Sequence, residues 1–199
     1  MPNALARCVK LAGRSLEPCS NARPRGMIID RQRLQNSAYR SVCSNHSRMS
    51  FEIQYRPGTT ADLPAIYAVE EACFQPPLRF SQNLLRRMLR HDLCVVAVSA
   101  EEIVGFIIAS LETENSQHFG YIATLEVLSD FRGHGVARNL LVKAENLLRD
   151  HGCRYAALHA AVNNVAAVAL YASCGYESVG TAAKFYPDGT DAALMAHLF

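Results

Sequence analysis

An α/β fold, with a mixed sheet flanked by helices in one domain, follows from three features of the sequence. Segments with strand and helix patterning succeed one another in the order βααβββαβαββ. Three runs rich in β-branched and apolar residues, 93–99, 103–111 and 121–128, read as adjacent strands. A pair of glycines then opens a long amphipathic stretch, 135–151, of the kind that covers a sheet. The 199 residues, half of them apolar and with a net charge of +2, suit one ordinary domain plus an appendage. A near-average composition excludes collagenous, coiled-coil and wholly disordered chains. No apolar run approaches the roughly 18 residues of a membrane helix, so no membrane partner is expected.

The elements follow in order. Residues 51–55 alternate apolar and polar as a half-buried strand, ended by Pro57-Gly58. Thr60 or Asp62 caps a helix to about Phe74, with Leu63, Ile66, Val69 and Glu70 on its helical period, and Pro76-Pro77 closes that segment. Ser81 caps a second helix, 82–90. Runs 93–99 and 103–111 form a hairpin about Glu101-Glu102, and 113–118 reads as a polar loop before the third strand. In the helix 135–151, Ala137, Leu140, Leu141, Ala144 and Leu148 share a side, and Gly152 stops it. A strand at 154–161, a helix at 165–174 ended by Gly175, and a hairpin of 176–185 with 191–198 about Pro187-Asp188-Gly189 complete the chain.

Charge divides the chain in two. Residues 1–50 hold nine basic and two acidic side chains, and 51–199 hold eleven basic and sixteen acidic ones. The first part lacks apolar periodicity and reads as a basic tail preceding the domain 51–199. Three readings of it stand open: a mis-assigned start with Met27 or Met49 as initiator, a solvated tail that touches the ribosome, RNA or acidic protein, or an organelle-targeting segment. Seven cysteines without metal-ligand spacing point away from a zinc module or disulfide scaffold, and towards a reducing, cytoplasmic setting with no metal. Both a monomer and a homodimer fit the sequence.

The loop Arg132, Gly133, His134, Gly135, Val136 and Ala137 lies between a strand and a helix N-terminus. Its glycines admit an anion to the backbone, and the helix dipole favours negative charge, so a pyrophosphate is the natural guest. It is neither a Walker loop nor a dinucleotide fingerprint. The alternative is a plain tight turn.

Arg132-x-x-Gly135-x-Ala137 after a strand, followed by Asn164, Leu170-Tyr171 and Gly175-Tyr176, resembles the GNAT (Gcn-five-related) N-acetyltransferase superfamily over residues 51–199. The resemblance implies a mostly antiparallel mixed sheet with a central V-shaped splay between the strands at 121–128 and 154–161. Acetyl-CoA, the co-substrate, would lie in the V, with its pantetheine on the backbone of Leu125, Glu126 and Val127 and its pyrophosphate on residues 132–137. Asn164 and Tyr171 would also reach it. The runs at 121–125, 158–164 and 184–192 are similar to protein N-terminal acetyltransferases, among them the bacterial ribosomal-protein alanine enzyme and the NatA and NatE catalytic subunits. The implied acceptor is a protein N-terminus. A small amine, or a silent acyl-CoA sensor, are the alternatives.

Acetyl transfer needs a neutral amine, a donor for the oxyanion and a proton for the thiolate. The N–H of Val127 or Leu128 suits the oxyanion. His159, sharing a strand face with Tyr155, Ala157 and Ala161, suits a base by the ordinary imidazole pKa of about 6.5. By resemblance Tyr121 acts with it, and the bacterial relative carries Glu where this chain has His159. Glu126 is the rival base, although strict alternation turns it away from Tyr121. Tyr171, seven residues after the capping Asn164, lies on the same helix face about 10 Å away and suits the acid. Phe185 and Tyr186, beside the last turn, wall the acceptor entrance. Each side chain also has a simpler reading as a packing residue.

Overall fold

The computed structural model describes residues 52–114 and 116–199. The expected tail, 1–50, and the strand start at Phe51 lie outside them. Seven strands form one sheet: β1 (Gln54–Pro57), β2 (Leu93–Ser99), β3 (Glu102–Glu114), β4 (Gln117–Val127), β5 (Tyr155–Ala161), β6 (Glu177–Ala182) and β7 (Ala192–Leu198). Four α-helices, α1 (Leu63–Cys73), α2 (Gln82–His91), α3 (Val136–Asp150) and α4 (Val165–Ser173), and two 3-10 turns, Thr60–Asp62 and Ser129–Phe131, complete the described part. The expected element order holds. The sheet order is β1-β2-β3-β4-β5-β7-β6, and β4–β5 is its one parallel pair.

Local chemistry accounts for most boundaries. β1 begins at Gln54 because its partner ends one residue past Val98, to which Gln54 is matched. Before α1, Asp62 holds the cap position, one of the two expected, and the 3-10 turn ahead of it, Thr60–Asp62, is capped by Thr59. Its N–H and hydroxyl donate to Asp62 at 2.8 and 3.0 Å across a single 3-10 turn. Arg56 grips the same carboxylate and holds Asp62 down to about 2. Ser81 caps α2 by accepting from Leu84 N–H, as expected. The β2–β3 turn falls on Ala100 and Glu101, both at positive φ, one residue earlier than read from sequence. The loop expected at 113–118 is instead the end of a long hairpin, since Thr113 pairs with His118 and Glu114 with Gln117. Those positions face solvent, so no apolar pattern marked them as strand.

The sheet separates two apolar layers. α3 packs on one face through Leu140, Leu141, Ala144 and Leu148 against Val104, Ile107, Ile122 and Leu158. α1 and α2 cover the other through Ile66, Val69, Leu85 and Met88 against Val96, Phe106 and Ile108. Each completely buried aliphatic or aromatic side chain contributes about 1.5–3 kcal/mol, so these two layers carry the fold. Among the described residues no helix is long and apolar enough to cross a membrane.

Candidate active site

β4 and β5 pair over three rungs only, ending at Ile122↔Leu158. Beyond them β5 stays with β7, His159 opposite Leu194, while β4 stays with β3 as far as Val127. The strands therefore part at Ala123 and His159, which is the splay that the family resemblance implies. A bulge marks the point. The β3–β4 register steps from Ile108↔Thr124 to Ala109↔Ile122 and leaves Ala123 unmatched, bending β4 where the opening begins.

The opening exposes selected backbone groups. Leu128 N–H donates to Val104 O at 2.9 Å, so this candidate oxyanion donor is already used. By antiparallel alternation Glu126, opposite Phe106, also turns its backbone towards β3. Leu125 and Val127 turn theirs into the opening. Of the three residues expected to line it with backbone, two do so and Glu126 does not. Val127 O accepts from Arg132 Nε at 2.8 Å and faces Cys73 Sγ at 3.7 Å, which leaves its N–H as the donor in the opening.

The bulge also reverses one side chain. Alternation alone sets Glu126 opposite Tyr121, but the extra residue returns it to Tyr121's face of the sheet. There Glu126 is buried against Glu70 of α1, and Thr124 Oγ1 donates to its Oε1 at 2.6 Å. Burial first, then the Glu70 carboxyl, push Glu126 far above the usual carboxylate range. A carboxyl that keeps its proton at neutral pH is no base, so the rivalry between Glu126 and His159 favours His159.

Tyr121 and His159 do meet. The phenol oxygen lies 3.0 Å from Nδ1 across the last rungs of the parallel pair. Tyr121 is mid-strand rather than at a strand start, because β4 begins at Gln117. Phe185 stacks on the imidazole at 4.2 Å, nearly parallel, and Tyr186 hydroxyl donates to His159 O at 3.3 Å. Burial lowers His159 to about 4, so the ring is neutral at physiological pH and weaker as a base than its type suggests. Phe185 and Tyr186 thus hold the histidine in place. Their loop is fixed by Lys184 N–H on Asp191, and by Gly189, at φ 84°, donating to Tyr186 O.

On the opposite face α4 presents Tyr171, buried and 5.7 Å from the ring of Tyr176. Burial raises its pKa, and the Tyr186 phenol adds to the effect, so the hydroxyl stays protonated. Asn164 accepts from Ala167 N–H at 3.1 Å and fixes the start of α4 as its cap.

The loop before α3 carries an open cradle. Gly133 and Gly135 sit at φ 76° and 79°, and a Cβ added to either would meet nothing within 4 Å. Gly135 O accepts from Asn139 N–H, so the N–H groups of Val136, Ala137 and Arg138 precede the first helical bond. That arrangement suits a phosphate. The Arg132 side chain is turned to Val127 and Cys73, and His134 Nδ1 lies 2.9 Å from Arg132 O. These two shape the loop through its backbone. A depression lined by Tyr155, Val179, His197 and Leu198 lies towards the other end of β5 and includes none of the side chains above.

Residues 63–176, which include the splayed pair and the open loop before α3, match the family model for the acetyltransferase (GNAT) family. The chain belongs to the GNAT acetyltransferase family. Its members use acetyl-CoA as acyl donor. Among curated GNAT relatives, the N-alpha-acetyltransferase MAK3 of Arabidopsis thaliana is 33% identical over 108 residues, 54% of this chain and 57% of that protein. The chain therefore spans little more than half the length of that relative. The NatA catalytic subunit NAA10 of the same plant is 31% identical over 140 residues, 69% of this chain and 73% of that one. Among solved structures, the NatC complex bound to Gag peptide and CoA contains a chain that superimposes with a TM-score of 0.68 at 25% identity. The match covers 74% of this GNAT chain and 99% of that one.

Sequence reasoning missed Glu70 and Cys73 at the base of the site. A glutamate on the apolar period of α1 was the available signal for the first. Nothing in the sequence pointed to the second.

Proposed function

We propose that this chain transfers acetyl from acetyl-CoA to the α-amine of a protein N-terminus by direct attack in a ternary complex. The neutral, half-buried His159 held by Tyr121 and Phe185 carries the reading. An imidazole with so low a pKa does not strip a proton from an ammonium in the ground state. The acceptor must arrive neutral. At pH 7 roughly 15% of an α-amine is neutral, against about 0.04% of a lysine amine, a several-hundredfold advantage for the N-terminus. Polyamine-type acceptors suffer the lysine's handicap.

The acceptor side also suits a peptide. Phe185 and Tyr186, half-buried and packed edge to face beside His159, give that side an aromatic surface. In this reading residues 74–81 form the facing wall, with Phe80 packed on the same side of the sheet as Ala123. With Nδ1–H donating to Tyr121 oxygen, Nε2 of His159 holds the free lone pair. As the N–C bond forms and the nitrogen becomes cationic, Nε2 takes its proton. Val127 N–H donates to the developing oxyanion. As the C–S bond breaks, the sulfur leaves as a thiolate that accepts a hydrogen bond from the Tyr171 hydroxyl, and Gly133 to Ala137 hold the pyrophosphate. The similarity to relatives named N-alpha-acetyltransferases agrees.

Turnover of acetyl-CoA with a panel of peptides differing in their first residues, run beside spermidine and an N-blocked peptide, is the test. Turnover confined to free N-termini is expected. Preference for spermidine sinks the peptide reading.

A further inference from the structure

The two carboxyls buried beneath the splay are not accounted for by the chemistry above. Glu70, 1% exposed, comes from α1, and Glu126, 4% exposed, from β4. Glu70 Oε1 accepts from Phe80 N–H at 2.6 Å, which fastens the segment between α1 and α2. Glu126 Oε1 accepts from the Thr124 hydroxyl, which fastens β4 just past its bulge. The remaining oxygen of each, Oε2, receives no N–H and no hydroxyl from elsewhere among the described residues. The two buried carboxyls act directly on one another, and a proton on one of them would let their unpartnered Oε2 atoms bond. The titratable or charged groups acting on Glu126 are Glu70 and Cys73 from α1 and Arg132 from the loop after β4. Arg132 is already engaged with Val127 O and Cys73 Sγ, so the one nearby cation does not replace the proton.

We propose that Glu70 and Glu126 form a hydrogen-bonded carboxyl clamp that positions the acceptor wall, residues 74–81, against the splayed end of β4. Both are positioning residues. Neither touches the reacting atoms. The clamp ties Phe80, on the acceptor side, to the strand whose Val127 N–H faces the opening. The inference rests on the reading of 74–81 as the acceptor wall.

A structural filler would be a poor use of this pair. The folded protein retains a proton that the unfolded chain releases above the ordinary glutamate range. Stability therefore falls as pH rises from about 4.5, and keeps falling until Glu126 itself ionises. A glutamine at 126 needs no proton. Its carbonyl accepts from Thr124 and its amide donates to Glu70.

Kinetics and unfolding of the full chain test the clamp together. Glu126→Ala should raise the peptide KM about tenfold, the loss of roughly one buried hydrogen bond, with acetyl-CoA affinity unchanged. Glu126→Gln should restore that KM at pH 7. Above pH 8.5, where the acceptor is already neutral, the wild-type peptide KM should climb while that of Glu126→Gln stays flat. The Tm of Glu126→Gln should exceed wild type by a margin that widens from pH 5 to pH 8. An Ala variant with unchanged KM and pH profile overturns the proposal, as does a Gln variant with crippled kcat at normal KM. If no peptide is turned over by wild type, the acceptor reading has failed, and a Tm margin that does not change with pH then overturns the clamp on its own.

Discussion

Replacing His159 by alanine tests the mechanism where it is most exposed. Burial holds the imidazole near 4, and a peptide α-amine titrates near 7.7–8.0. Moving a proton from that ammonium to His159 before attack is uphill by about four pKa units, or roughly 5 kcal/mol. His159 therefore acts while the N–C bond forms and the nitrogen grows acidic. Losing a positioned group of this kind costs about 10²–10⁴-fold in rate. Steady-state kinetics at saturating acetyl-CoA, from pH 6 to pH 9, give the comparison. In both enzymes kcat/KM should follow the neutral fraction of the acceptor, from about 2% at pH 6 to about 80% at pH 8.5, above which ionisation of Glu126 lowers both alike. The wild-type profile should show no inflection near 6.5, and the ratio of the two enzymes should stay constant. A wild-type limb at 6.5, or a loss that disappears at high pH, would refute the reasoning, since either means ground-state deprotonation by an ordinary imidazole.

Three further substitutions probe other parts of the account. Tyr171→Phe should lower kcat by about 100-fold while calorimetric affinity for coenzyme A stays within threefold, because only the departing thiolate loses its hydrogen-bond donor. Gly135→Trp should abolish coenzyme A binding in the same titration. The indole would fill the open cradle, and φ of 79° adds about 1–2 kcal/mol of backbone strain; near-normal binding would reduce the loop to a turn. Gly120→Ala should destabilise the fold by about 1–3 kcal/mol in thermal or urea unfolding, because its Cβ would run into the Leu148 side chain behind β4.

Much of the architecture was legible because strand and helix periods, caps and glycine stops agree along the chain. Ser81, Asn164 and Gly135 each mark a helix start in the sequence and do so in the structure. The pairing of Tyr121 with His159 was legible only through the family motif, since no local pattern brings residue 121 to residue 159. Two physical effects escaped. A bulge is a mismatch between strands, so neither strand's own sequence displays it. Ala123 shifts every later side chain of β4, and Glu126 is the one whose facing mattered. Burial escaped likewise: the loss of water that lowers His159 and raises Glu126 comes from α1, Phe185 and the sheet together. The 3-10 turn ahead of α1 escaped because Thr59, Thr60 and Asp62 are all good capping types, and it is the grip of Arg56 and Thr59 on Asp62 that sets the turn off from the helix.

The central claim is that this site acetylates a neutral N-terminal amine through His159 and Tyr121. One peptide carrying both a free N-terminus and an internal lysine decides it. Incubated with acetyl-CoA at pH 7 and sequenced by tandem mass spectrometry, the peptide should carry acetyl on its α-amine, at a rate that falls at least a hundredfold with His159→Ala. Acetyl on the lysine, or an α-amine product formed equally well without His159, would contradict the account.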